Sequence, residues 1–104
     1  MRSFKSNTSS TLTMAANGVS QNMVLPSGGG LFVSVVNGGA NIAFCEFTSD
    51  SNQVVAAPAS NVAGGFPVFA NQPPLIMQLR ETDTRVVAIS AGTSTLYFTR
   101  GEVT

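Results

Sequence analysis

The stretch LFVSVVNGGANIAFCEF, residues 31–47, holds two apolar runs broken at Asn37-Gly38-Gly39. Residues 31–36 are nearly continuous in apolar side chains, as in a strand covered on both faces. Residues 42–47 alternate instead, with Ile42, Phe44 and Glu46 on one face and Ala43, Cys45 and Phe47 on the other. The period is two, and the Asn-Gly break between the runs predicts a β-hairpin.

The same vocabulary extends in both directions. Upstream, residues 11–14 alternate, and Val19, Met23 and Leu25 share a side, with Asn17-Gly18 between the two runs as a second hairpin signal. Pro26 and Gly28-Gly29-Gly30 end that run. Downstream, residues 48–52 are a polar loop, a short strand is expected at Val54-Val55, and Pro58 blocks a helix through residues 53–63. Phe66-Pro67-Val68-Phe69 suits an edge or a loop. Leu75, Met77 and Leu79 share a face after Pro73-Pro74. Residues 85–90 and 95–99, joined through Ala91-Gly92-Thr93-Ser94, predict a last hairpin with Val87, Ile89, Leu96 and Phe98 facing inward. Seven or eight short strands about ten residues apart define an all-β chain. The expected architecture is a single small antiparallel β-sandwich or jelly-roll-like barrel over residues 10–104, preceded by a flexible N-terminal arm at residues 1–9. No window supports a helix longer than a turn.

Composition narrows the function. The chain has 104 residues, enough for one core. Only 10% of residues are charged, against about 25% in an average soluble domain. Five basic and five acidic side chains cancel, which removes the electrostatic drive toward nucleic acid. There is no His, so the usual general base, metal ligand and pH switch are missing. One Cys allows no internal disulfide and no zinc cluster. No apolar run approaches the ~20 residues of a membrane-spanning helix, and the first ten residues lack a signal-peptide apolar region.

The candidate chemistry is correspondingly thin. Cys45, flanked by Phe44 and Phe47, reads as a core residue, since no His is present to activate it. Glu46, Asp50, Glu81, Asp83 and Glu102 are the whole carboxylate stock, and most read as turn charges beside Arg80 or Arg85. Asp50-Ser51-Asn52 and Glu81-Thr82-Asp83 lack the length and glycine of a calcium loop. Gly28-Gly29-Gly30 is followed by a strand, not by the Lys or helix of a phosphate cradle. Asn7-Thr8-Ser9 matches a glycosylation triplet, which means little without a secretion signal. The chain reads as no enzyme, with no cofactor and no metal.

The distribution of charge is more informative. Forty consecutive residues between Lys5 and Glu46 carry none, and neither do twenty-nine between Asp50 and Arg80. Ser, Thr, Asn and Gln supply the polarity instead. A neutral exterior suits either a small β domain that tolerates low charge or a surface covered by identical copies or a scaffold. On the second reading, the uncharged half faces neighbours through Phe4, Leu12, Met14, Val19, Met23 and Val24. The charged end at 80–102 lies nearer solvent, with Arg80 and Arg85 as intersubunit ion-pair candidates.

Residues 66–79 (FPVFANQPPLIMQL) and 86–102 (VVAISAGTSTLYFTRGE) resemble a pattern of small tailed-bacteriophage virion proteins. In those, an apolar segment, two strands, an Ala-Gly-Thr turn and a terminal strand ending in Gly-Glu follow in order. The segment 31–47 is similar to an earlier hairpin of the same proteins. The resemblance implies a non-enzymatic capsid decoration or cement protein, a β-sandwich assembling as a homo-oligomer, a trimer, on the phage head surface. Its partners would be the major capsid protein or other virion proteins, with no nucleic acid and no membrane, and it would be made in the host cytoplasm. The alternative is a tail-fibre or baseplate module binding host surface glycan. Pro67 and Pro73-Pro74 depart from the pattern and bear on strand pairing around 66–75.

Overall fold

The period-two runs become nine strands: β1 (Phe4–Ser6), β2 (Leu12–Ala16), β3 (Gln21–Val24), β4 (Phe32–Asn37), β5 (Ala43–Thr48), β6 (Phe66–Val68), β7 (Leu75–Gln78), β8 (Arg85–Ser90) and β9 (Ser94–Val103). The structure is a computed structural model that describes residues 3–6, 11–26, 30–54 and 65–103. Among these residues there is no helix.

The strands form two antiparallel sheets. The first runs β2-β9-β4-β7, with β1 sharing the same edge of β9 as β2, and the second runs β3-β8-β5-β6. Within them β2 pairs β9, β3 pairs β8, β4 pairs β7 and β5 pairs β6. Strands 2 to 5 and strands 9 to 6 are thus the two sides of one long antiparallel ribbon. The ribbon is rolled so that β4 also meets β9 and β5 also meets β8. A ribbon wound in this way is a jelly roll.

Rolling corrects the sequence reading of all three hairpins. β2 and β3 lie in different sheets, as do β4 and β5, and β8 and β9. Each Asn-Gly or Ala-Gly break is an arch across the sandwich rather than a two-residue turn within a sheet. At the first arch, the Asn17 carboxamide accepts from Val19 N–H at 2.9 Å, and Ser90 N–H donates to the Asn17 carbonyl at 2.8 Å. Gly18 does not adopt the positive φ of a type I′ turn.

The core lies between the sheets. Met14, Val33, Val35, Cys45, Val68, Val86, Leu96 and Phe98 are almost fully buried there, with Leu12, Met23, Leu75 and Met77 packed around them. Phe47 meets Phe98 edge-on, with ring centroids 6.4 Å apart. Leu96 and Phe98 point inward as expected. Val87 and Ile89 do not: they stand opposite Glu46 and Phe44 on the outer face of the second sheet and form a separate apolar cluster with Phe44.

The N-terminal residues also differ from expectation. Phe4–Ser6, assigned to the arm, form β1 against residues 101–103. Gly101 permits this approach, because a Cβ there would overlap the Lys5 carbonyl and the Phe4 ring. Gly30, at φ 106°, lies as close to the Gly101 carbonyl on the other side. Val54 lies outside any strand. Residues 1 and 2, the 7–9 triplet, Gly28, Gly29, Val55 and Pro58 lie outside the described residues.

Candidate interaction surface

The outer faces of the two sheets are built differently. On the first sheet, register places Thr13 and Ala15 of β2, Thr95, Tyr97 and Thr99 of β9, Phe32, Ser34 and Val36 of β4, and Ile76 and Gln78 of β7 on the outward side. None of these is charged. Thr13, Ala15, Ile76, Gln78 and Tyr97 are exposed and the others are half-buried. Thr11 joins them through a 2.9 Å hydroxyl contact with Thr99. The result is an open, neutral surface four strands wide.

The second sheet is partly covered. Its outward-facing Val87 and Ile89 are buried. Asn22, outward on β3, donates to the carbonyls of Asp50 at 2.9 Å and Gln53 at 3.2 Å. That holds the start of the β5–β6 connection over this face. Arg85 Nε in turn donates to the Asn22 carboxamide oxygen and fixes its orientation.

Charge is segregated along the sandwich as well. The connections at 17–20, 38–42, 69–74 and 91–93 gather at one end, and none contains a charged residue. The connections at 25–31, 49–65 and 79–84 gather at the other. Every described charged residue lies there or on the strand portions beside it. The neutral end is held by side chains bonded to backbone. Asn37, buried, donates to the carbonyls of Asn41 at 2.8 Å and Val68 at 3.0 Å and accepts from Gly39 N–H at 2.9 Å. Asn41 donates to the Thr93 carbonyl at 2.9 Å.

These two asymmetries revise the expected placement. The uncharged N-terminal half cannot face neighbours while the charged C-terminal end faces water, because β9 lies between β2 and β4 in one sheet. The division is by face and by end, not by half of the chain. Met14 is fully buried and presents nothing outward. Leu12 and Met23 pack against the core. Phe4 is half-buried beside Gly101. Val19 and Val24 are exposed, on the neutral arch and on the outer side of β3. Arg85 is bound within the chain to Asn22.

Arg80 closes the β7–β8 turn. Its backbone N–H donates to Asp83 Oδ2 at 2.9 Å and its Nη2 to Asp83 Oδ1 at 3.1 Å, while Nη2 also reaches the Phe47 carbonyl at 3.3 Å. The hydrogen bond and charge of Asp83 hold the Arg80 pKa above its ordinary value. The pair organises a turn, and Asp83 is buried within it. Arg100 serves the backbone too, donating to the carbonyls of Gly30 and Pro26.

Sequence reasoning missed Tyr97, Val36, Ile76 and the threonines as a surface. Their alternation with Leu96, Phe98, Val35 and Met77 was readable, but the pairing that makes them one face was not. Reactive groups are sparse. Burial pushes the Cys45 thiol up to about 12, and among the described residues no group of His, Cys, Asp and Glu is arranged to hold a metal ion. Comparison with protein-family models, curated proteins and solved structures finds no match to this chain.

Proposed function

We propose that this chain is a non-enzymatic virion structural protein, a decoration or cement protein that works as an oligomer, a trimer, and stabilises a phage head by bridging capsid subunits. The observation that supports this reading is the open, charge-free outer face of the β2-β9-β4-β7 sheet, beside a second sheet whose outer side buries Val87 and Ile89 and carries Glu46 and Arg85. Strand spacings of ~4.8 Å and rises of ~3.3 Å per residue give the charge-free face an outline of roughly 300 Å². That falls short of the ~800 Å² per partner of a standard stable interface. A surface of this size binds firmly when many copies engage a repeating lattice together, each contact adding to the next. The resemblance of residues 66–102 to phage virion proteins points the same way.

The test compares particles assembled with the gene intact and with it deleted. The reading expects the protein on the head in many copies, and heads lacking it to rupture at lower temperature. Presence only in purified tails, with binding to host glycan, would replace this reading by the tail-fibre or baseplate one.

A further inference from the structure

Among the described residues five strands lie at sheet edges, and they differ in what guards them; β1, three residues long, carries Lys5. On β2 the edge-facing carbonyl of Ala15 is capped by the Gln21 side chain at 2.7 Å. β6 carries Pro67 at its centre, which has no N–H to offer. β3 is bound over its outer face by the contacts of Asn22 with the β5–β6 connection. β7, Leu75–Gln78, has no charge and no proline, and among the described residues no side chain caps it. An edge of that kind is a template for another strand.

The bonds to β4 fix which groups β7 offers. Leu79 N–H donates to the Leu31 carbonyl at 2.6 Å, and the ladder continues from it in register, Met77 against Val33 and Leu75 against Val35. Backbone groups alternate along a strand, so those of Ile76 and Gln78 point away from β4 to the open edge. Beside this edge the sandwich gapes. A cleft of about 430 Å³ opens between β5, β6 and β7, lined by Cys45, Phe47, Phe66 and Met77 together with the polar Glu46, Gln78, Arg80 and Asp83. A chain docked on β7 therefore gains both hydrogen bonds and apolar cover, and this separates β7 from β3.

We propose that β7 pairs antiparallel with β7 of a second copy, Met77 facing Met77 at a two-fold axis. In that register Ile76 N–H donates to the Gln78 carbonyl of the second copy, Gln78 N–H donates back to Ile76, and symmetry repeats both. No group is wasted. The neighbouring register, with Ile76 at the axis, sets Gln78 against Pro74, whose missing N–H leaves the Gln78 carbonyl without a donor. The identical copy is the occupant because the strand is self-complementary in hydrogen bonds and free of charge, so two copies meet without repulsion. An isologous contact of this type closes on itself. It extends two β2-β9-β4-β7 sheets into one continuous surface. The pairing is two-fold and does not depend on the virion reading: a three-fold contact on the sheet face is a separate interface.

The test uses the full chain in sedimentation velocity over a range of concentrations, with two variants. Ile76→Pro removes an N–H that the monomer does not use, and it weakens self-association by about tenfold or more. Met77→Cys places two thiols across a non-hydrogen-bonded antiparallel pair, where Cα atoms lie ~4.5 Å apart, within disulfide reach. It forms a covalent dimer on mild oxidation, while Val24→Cys on β3 does not. Wild-type protein that stays monomeric throughout overturns the proposal. So does association that survives Ile76→Pro with an unchanged circular-dichroism spectrum, or crosslinking through Val24→Cys in place of Met77→Cys. Should one variant fail to fold, the other decides.

Discussion

Tyr97 of β9 stands directly opposite Val36 of β4, both facing away from the core on a sheet surface that carries no charge. Thr13 stands opposite Tyr97 on its other side, and Ser34, two residues before Val36, stands between Thr99 and Ile76. A small ring of neutral side chains thus surrounds an aromatic that is 39% exposed. Aromatic centres with a water-excluding surround are where binding energy concentrates in interfaces.

Placing a charge in that ring separates contact from folding. Thr13→Lys and Tyr97→Lys are expected to change fold stability by about 1 kcal/mol or less, since both sites are exposed. Attachment to capsids falls at least about tenfold, because the lysine must be desolvated without a partner. Chemical denaturation and capsid co-sedimentation measure the two effects independently.

The contact of Gly30, Gly101 and Lys5 predicts a structural effect. Gly101→Ala drives a methyl into the Lys5 carbonyl and the Phe4 ring, and Gly30→Ala adds an unfavourable φ to overlap with the Gly101 carbonyl. Each is expected to lower stability by about 1–3 kcal/mol. Gly101→Ala also releases β1, seen as faster amide exchange at residues 4–6 with β2 unaffected. Gly18→Ala, where a methyl meets open space, serves as the neutral control.

Asn37 ties the second arch to β6. Asn37→Ala removes two donated bonds and one accepted bond at a buried site. The Val68 carbonyl then loses this donor, while the Asn41 carbonyl keeps the Ser94 hydroxyl at 2.6 Å. The expected loss is about 1–3 kcal/mol. Asn37→Asp is worse still, since a carboxylate cannot donate to either carbonyl.

Cys45 gives the fold an alkaline limit. Its thiol is raised from an ordinary 9.0 to about 12 by burial, so the folded state holds its proton more tightly than the unfolded chain does. The stability this represents is complete below pH 9 and is lost as pH rises from 9 through 12. The loss is about 1.4 kcal/mol per pH unit over that window. Wild-type protein should lose stability more steeply than Cys45→Ala between these limits, and a thiol reagent at pH 8 should label Cys45 only after denaturation.

Much of the fold was readable from local pattern. Alternation in residues 42–47 put Ala43, Cys45 and Phe47 on one face, which is the core face, and Leu75, Met77 and Leu79 likewise share it. What local pattern could not supply is partnership. Asn37-Gly38-Gly39 breaks a strand equally well whether the chain returns beside itself or crosses to the opposite sheet, and here it crosses. The pairing of β2 with β9 spans most of the chain, and no short-range signal reports it. The inward assignment of Val87 and Ile89 failed for a related reason. They are buried with Phe44 on the outer face of their sheet, where Asn22 holds the start of the β5–β6 connection, and do not enter the central core. Met14 was misread in the opposite direction: lying in an uncharged stretch, it was placed outside, although its own alternation with Thr13 and Ala15 turns it inward.

The central claim concerns what covers Tyr97, Val36 and Ile76. A cryo-electron microscopy map of the intact particle tests it most directly. The account predicts capsid density or a sibling chain packed on the β2-β9-β4-β7 face, with the charged end of the sandwich turned toward solvent. A map in which that neutral face looks out into bulk water, with the β3-β8-β5-β6 side against the shell, would contradict it.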